Sequence, residues 1–466
     1  MIDLSTDEGI REAFREIADW PATAPADSSV TMIRSGRSRR FDEARRANRS
    51  RRLVAAAAAL LVVSGVVGLV ARRDGGNPVA DSPRGWVTMA DSPLSARFAP
   101  AAVWDGEEML IWGGHDIAGT SLVDGAAYRP STNTWRSIAP MTSDRPPTSS
   151  PPQAVPDLSA WVGHEALSIV ASGGDDPWGW DVVAYAPATD GWRTIEQNRY
   201  DQLPTDELVP TVGAAPIHQP SAAASWHDQL VVVGWRSDLG LMGWARLDPA
   251  TGTWSPFTAL IGSEEAYGMR NAPGSPIVID DRYLVMMTSG QLTDFPFGYR
   301  IDLVTGTGIS LDVPAQVGAF IVSISLADDG TIVGVSTDET GRSTRFATRL
   351  DGATGTFSEI TAPSRGAVEQ QASLVAVPNG YLLLGGLDVE GTTMGGLKSE
   401  AVHLAANSEV DRWTNLPGPP VDLDRVGHTV IWTGREVIVW GGATTEFAGP
   451  NNLATNPLSD GAVYYP

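Results

Sequence analysis

The sequence predicts an all-β fold, a seven-bladed β-propeller, joined to a short N-terminal tail by one transmembrane helix. Three observations carry this reading. A nineteen-residue uncharged run lies near the N-terminus, and a short apolar run ending at glycine or another small residue recurs seven times behind it. The composition, 49 Gly, 33 Pro and 16 Trp in 466 residues, favours turn-rich β structure with aromatic anchors over a helical bundle.

Charge divides the chain in two. Residues 1–73 hold thirteen arginines against nine acidic residues and stand at +4, so the overall −22 leaves the remainder at −26. A surface that acidic has no phosphate-contact character, and no nucleic-acid partner is expected. Cysteine is absent, which removes disulfides, thiolate metal sites and cysteine nucleophiles. Lys398 is the single lysine, an arginine-for-lysine bias that suggests a GC-rich genome.

Residues 1–52 read as an Arg-rich cytoplasmic tail. Ser5 and Glu8 have capping-box spacing, and Ile10, Phe14 and Ile17 share a helical face until Pro21 stops the pattern. The run from Arg34 to Arg52 needs no partner beyond anionic lipid headgroups.

Residues 53–71, LVAAAAALLVVSGVVGLVA, match the ~20 positions a helix needs to cross the hydrocarbon core. Ten are Leu or Val, each contributing roughly −0.3 to −0.6 kcal/mol when central, so insertion is favourable. Nine arginines between Arg34 and Arg52 lead up to Leu53 and only Arg72 and Arg73 directly follow Ala71, which keeps the N-terminus in the cytoplasm and places the bulk of the chain outside. SRRLV at Ser50 to Val54 also looks something like a twin-arginine export motif, but Leu69 is too large for the position three before a cut at Ala71. The expected localisation is therefore a single-pass cell-membrane protein with an extracytoplasmic domain. Residues 72–83 read as a linker.

Residues 84–466 carry the repeats. The seven runs are MLIWGG from Met109, LSIVASGG from Leu167, LVVVGW from Leu230, YLVMMTSG from Tyr283, TIVGVS from Thr331, YLLLGG from Tyr381 and VIVWGG from Val437. Too short for core helices and apolar at successive positions, they read as strands covered on both faces. After each comes a hairpin: YRPSTNTW (Tyr128 to Trp135), YAPATDGW (Tyr185 to Trp192) and RLDPATGTW (Arg246 to Trp254) put Asn, Asp or Gly where positive φ is needed, and the closing Trp packs on a neighbouring unit. RIDLVTGTG from Arg300 lacks the aromatic, and RLDGATGTF from Arg349 has Phe357 in its place. Before each run lies an inner strand, as in RFAPAAVWDG from Arg97, which aligns without gaps to RVGHTVIWTG from Arg425.

Four strands per unit, a double glycine after the second and a Trp on the fourth resemble the kelch repeat, and the region is similar to kelch-type propellers, including the central domain of galactose oxidase. The C-terminal octapeptide SDGAVYYP, Ser459 to Pro466, matches VDGAAYRP, Val123 to Pro130, but lacks a following TNTW segment. PRGWVTMADSP, Pro83 to Pro93, supplies one. Trp86 thus stands for Trp135, and the last unit is expected to be sealed by strands from both ends.

Chemistry is sparse. Without cysteine the crosslinked tyrosine of galactose oxidase cannot form, and the six histidines show no metal-binding spacing, so no cofactor is expected and His428 reads as packing. STDETGRST from Ser336 lacks the aromatic of a sialidase box. The candidate ligand-binding residues lie in or beside the connections after the apolar strands: His115, Asp116, Asp175, Asp176, Trp178, Trp180, Arg236, Phe295, Phe297, Asn451 and Asn452. Aromatic rings beside carboxylates suit a protein or glycan at the cell surface. The alternatives are a cell-envelope hydrolase or lyase on the same scaffold, or a membrane regulator signalling through its tail. Arg-rich tails before one span are similar to those of actinobacterial anti-sigma regulators, though the zinc motif of many of those needs cysteine.

Overall fold

The computed structural model describes residues 85–142, 153–171, 179–202, 208–212, 215–236, 239–261, 277–279, 281–288, 297–313, 320–326, 331–337, 343–359, 369–370, 373–377, 380–385, 387–390, 393–394, 402–403, 414–415, 418–423, 425–449 and 452–466. The tail, the 53–71 span and the linker lie outside them. Among the described residues the fold is all-β, antiparallel throughout, and no helix is long and apolar enough to cross a membrane.

Each apolar run is the second strand of a sheet, paired on both sides. In the first sheet Ala101–Trp104, Met109–Trp112, Gly125–Arg129 and Thr134–Ile138 follow one another in chain order. The second sheet repeats this with Gln153–Val162, Glu165–Ala171, Trp180–Ala186 and Gly191–Gln202, and Leu208–Val212 adds a fifth strand. The third is built on Gln229–Arg236, the fourth on Tyr283–Thr288, the fifth on Thr331–Thr337 and the sixth on Gly380–Leu384. Met109–Trp112 and Val437–Trp440 are buried at every position, as strands covered on both faces must be.

The seventh sheet draws its strands from distant parts of the chain. Thr429–Trp432, Val437–Trp440 and Gly461–Tyr465 come from the C-terminal segment, and Gly85–Thr88 completes it, with Trp86 opposite Tyr464 and Val87 opposite Val463. That register is the one expected from the sequence. The Trp86 and Tyr464 rings lie 5.0 Å apart and tilted, like Tyr128 and Trp135 in the first sheet.

The hairpin turns obey the same logic. Asn133, Asp190, Gly252, Gly306 and Gly355 all sit at the expected turn position with φ between 46° and 75°. Asn133 Oδ1 accepts from Tyr128 Oη and from the Ala90 amide, and Asp190 Oδ1 accepts from Tyr185 Oη and the Ala139 amide, so each turn also ties its sheet to the preceding outer strand. The closing tryptophans do likewise: Trp135 Nε1 donates to Ala90 O and Trp192 Nε1 to Ala139 O. Where the fourth unit has Gly308 instead, Leu260 of the neighbouring sheet's extra strand, Thr258–Ile261, fills the space, and a Cβ there would stand 2.5 Å from its Cδ2.

Continuous apolar cores join the first sheet to the second, the second to the third, the third to the fourth, the sixth to the seventh and the seventh back to the first. The last of these packs Met109, Ile111 and Tyr128 against Ile438, Trp440 and Val463. Between Val437–Trp440 and Gly461–Tyr465 a further pair of strands forms, Ala443–Gly449 against Asn452–Pro457, carrying β-favouring Thr and Phe.

Candidate functional site

The residues singled out in the sequence lie in or beside the connections between second and third strands of five sheets. His115 is held through its backbone, donating to Phe98 O and accepting from Phe98 N, with its ring 5.3 Å from the Phe98 ring. Asp116 Oδ1 accepts from the amides of Thr120 and Ala118; these bonds hold its carboxyl below the usual carboxylate range and tie the group into a local turn. Trp180 is buried in the core between the second and third sheets, its Nε1 donating to His218 O and its ring edge-on to Trp254, which leaves no free face for a ligand. Arg236 ends its strand with its guanidinium 5.7 Å from the Phe257 ring centre. Phe297 pairs opposite Thr288 and Asn452 opposite Gly449. Asp175, Asp176, Trp178, Phe295 and Asn451 lie outside the described residues. Ile117 and Leu239 are exposed apolar side chains at this end of their sheets.

At the opposite end, where first strands turn into second and third into fourth, a cleft of about 710 Å³ opens between the first and seventh sheets. Trp104, Glu107 and Arg129 line it from the first sheet, and Val87, Arg435, Glu436 and Tyr465 from the seventh.

The cleft follows from one turn used twice. In WDGEE, Asp105 Oδ1 accepts from the amides of Glu107 and Glu108 around Gly106, whose φ of 105° a side chain would strain. In WTGRE, Thr433 Oγ1 accepts from Arg435 and Glu436 around Gly434 at 93°. Both turns deliver a glutamate to the start of the second strand, where it is nearly buried.

The two glutamates then meet different neighbours. Glu108 receives Arg129 Nε at 3.2 Å and Arg136 through Nε at 3.0 Å and Nη2 at 2.7 Å. Burial alone would raise its pKa, but these guanidiniums hold the carboxyl below the usual range. Glu165 in the second sheet is met in the same way by Arg193, at 3.0 and 2.6 Å. In the seventh sheet the matching register places Tyr465 where the first has Arg129 and Val87 where it has Arg136. Glu436 Oε2 consequently has no hydrogen-bond donor. Arg435 Nε stands 3.7 Å from it, beyond hydrogen-bond reach, on a side chain 65% exposed. Burial pushes the Glu436 carboxyl up, and Arg435 and the Thr433 hydroxyl offset this only in part.

Two buried arginines went unread in the sequence. Arg97 binds Asp124 through two nitrogens at 2.9 Å and the Gly113 carbonyl at 3.1 Å, and Arg425 repeats this with Asp460 and Gly441. Unlike Arg97, Arg425 makes both contacts through Nη1 alone, each at 3.0 Å, and its Nη2 has no hydrogen-bond partner. Both arginines clamp the double glycines. His428 lies between Gly385 and Gly442, and burial followed by the nearby Arg425 charge pushes its pKa down to about 4, so it is neutral at pH 7. Among the described residues no cluster of three or more His, Asp or Glu is placed to hold a metal ion. No family model matches the chain, and a search of curated proteins finds no match.

Proposed function

We propose that the chain is a seven-bladed, kelch-like β-propeller carried outside the cell on a single membrane span, and that it works as a binding module for a cell-surface protein. The propeller reading is supported by the succession of first strands: Ala101–Trp104 lies beside Gln153–Val162, which lies beside Gln219–Trp226, while Phe320–Leu326 neighbours Ser373–Val377, that strand neighbours Thr429–Trp432, and Thr429–Trp432 neighbours Ala101–Trp104. Gly85–Thr88 gives the last blade its fourth strand and leaves Gly461–Tyr465 paired on both sides. The single observation that supports binding is the cleft between the first and seventh sheets, where the nearly buried Glu436 carboxyl, its Oε2 without a hydrogen-bond donor, faces aromatic and charged walls.

A glycan is the alternative ligand, and glycan-array and crosslinking capture with the full-length chain separates the two. A specific protein ligand, lost on replacing Trp104 and Tyr465 together with Ala, is the expected result; absence of any protein ligand contradicts the reading. A second reading, a hydrolase or lyase, is favoured by one observation: Glu107 and Glu436 bring two carboxyls into one cleft from two sheets. Turnover of a cell-envelope polymer, lost in Glu436→Gln while binding persists, would move the assignment there.

A further inference from the structure

In the first and second sheets a glutamate at the start of the second strand is closed off by an arginine from the fourth strand: Arg136 on Glu108 and Arg193 on Glu165. The seventh sheet builds the same glutamate on the same turn and omits the arginine. We infer that the cleft beside Glu436 receives an arginine side chain of a partner protein, its guanidinium taking the place that Arg136 takes beside Glu108. This inference rests on the binding-module reading and names the chemistry of its ligand.

Four observations carry it. The registers are identical, Trp86 opposite Tyr464 and Trp135 opposite Tyr128, so Val87 marks the place of the missing side chain and its small size contributes to the open space. Glu436 is nearly buried, its Oε2 has no hydrogen-bond donor, and it lines the cleft, whereas a buried carboxylate oxygen is ordinarily hydrogen-bonded. The sister sites use Nε and Nη2 of one guanidinium together, a fork that a lysine ammonium cannot reproduce. Finally, the chain beyond residue 73 carries −26, which draws a basic partner towards the cleft. The cleft's own arginines do not fill the role: Arg129 is engaged with Glu107 and Glu108, and Arg435, 65% exposed, reaches Glu436 only as a 3.7 Å ion pair beyond hydrogen-bond distance and leans over the Tyr465 ring, 5.9 Å from its centre.

The test is calorimetric titration of the full-length chain in detergent micelles with N-acetyl-L-arginine amide, and with the citrulline analogue as its uncharged isostere. The arginine probe is expected to bind, with the citrulline analogue weaker by about tenfold or more, the loss expected for a charge-assisted hydrogen bond. Glu436→Gln should weaken arginine binding by a similar factor. Val87→Arg, which supplies the missing guanidinium internally, should abolish it and raise the melting temperature. Equal binding of the two probes, or unchanged binding in Glu436→Gln, overturns the inference. If either occurs while a protein ligand is still captured, the arginine site is wrong and the binding-module reading stands. If the arginine probe binds as expected but no macromolecular ligand is captured, the site stands and that reading falls.

Discussion

Glu108 and Glu436 occupy equivalent places, yet neutralising them should move stability in opposite directions. Glu108→Gln removes the negative charge from three hydrogen bonds to Arg129 and Arg136. Both arginines are about 40% exposed, so water recovers part of the loss and the net cost is about 1.5 to 3 kcal/mol. At about 2.1 cal/mol/K per residue over roughly 380 residues, the entropy of unfolding is near 0.8 kcal/mol/K, and the melting temperature should fall by about 2 to 4 °C at pH 7. Glu436→Gln removes a nearly buried charge whose burial Arg435 and the Thr433 hydroxyl offset only in part, so its melting temperature should rise. The pH dependence follows from the shifts. The Glu108 pKa is depressed on folding, so its stabilisation is present above the ordinary value of 4.5 and vanishes as pH falls through the folded value. The Glu436 pKa is raised, so the native state is favoured below 4.5 and loses that advantage as pH rises through the folded value. Differential scanning calorimetry at pH 7 and pH 3 reads both, and the pH 7 difference between each variant and wild type should shrink in acid. Shifts of the same sign for the two variants at pH 7 would refute the reasoning.

Other outcomes follow from the same contacts. Deleting residues 84–90 removes the strand beside Gly461–Tyr465 and exposes its edge, so the shortened chain should aggregate, whereas Trp86→Ala alone, a half-buried ring, should cost up to about 3 kcal/mol by denaturant melting. Gly308→Trp restores the aromatic of the sister units but collides with Leu260, and should destabilise by roughly 1 to 3 kcal/mol unless Leu260→Ala accompanies it. Protease added outside intact cells should remove the acidic region and spare residues 1–52; digestion of the tail from outside would contradict the proposed topology.

The fold was legible because repetition supplies its own comparison. Seven apolar runs, turn residues suited to positive φ and a displaced Trp86 suffice to locate the strands, the hairpin turns and the register of the last sheet. The site was less legible, because long connections rich in Trp and Asp drew attention to one end of the sheets. Trp180 shows why that signal misleads: an aromatic beside acidic residues is also what a strand entering the core looks like. The opposite end was readable, though only as a substitution between copies. VDGAAYRP against SDGAVYYP exchanges Arg129 for Tyr465, and TWR against GWV exchanges Arg136 for Val87. Those two changes mean little until pairing shows that both side chains reach one glutamate.

The most direct measurement is the titration midpoint of the Glu436 carboxyl, followed by carbon-13 NMR and assigned by its loss in Glu436→Gln, with and without saturating N-acetyl-L-arginine amide. Glu107, Arg129, Arg435 and Tyr465 share the cleft and Tyr128 lies close by, so the same spectra are recorded in Glu107→Gln to remove the other glutamate that lines it. The account predicts a midpoint above the ordinary glutamate value in the free protein and a fall below it in the complex, as Arg136 already enforces on Glu108. A midpoint that the arginine probe leaves unchanged would contradict it.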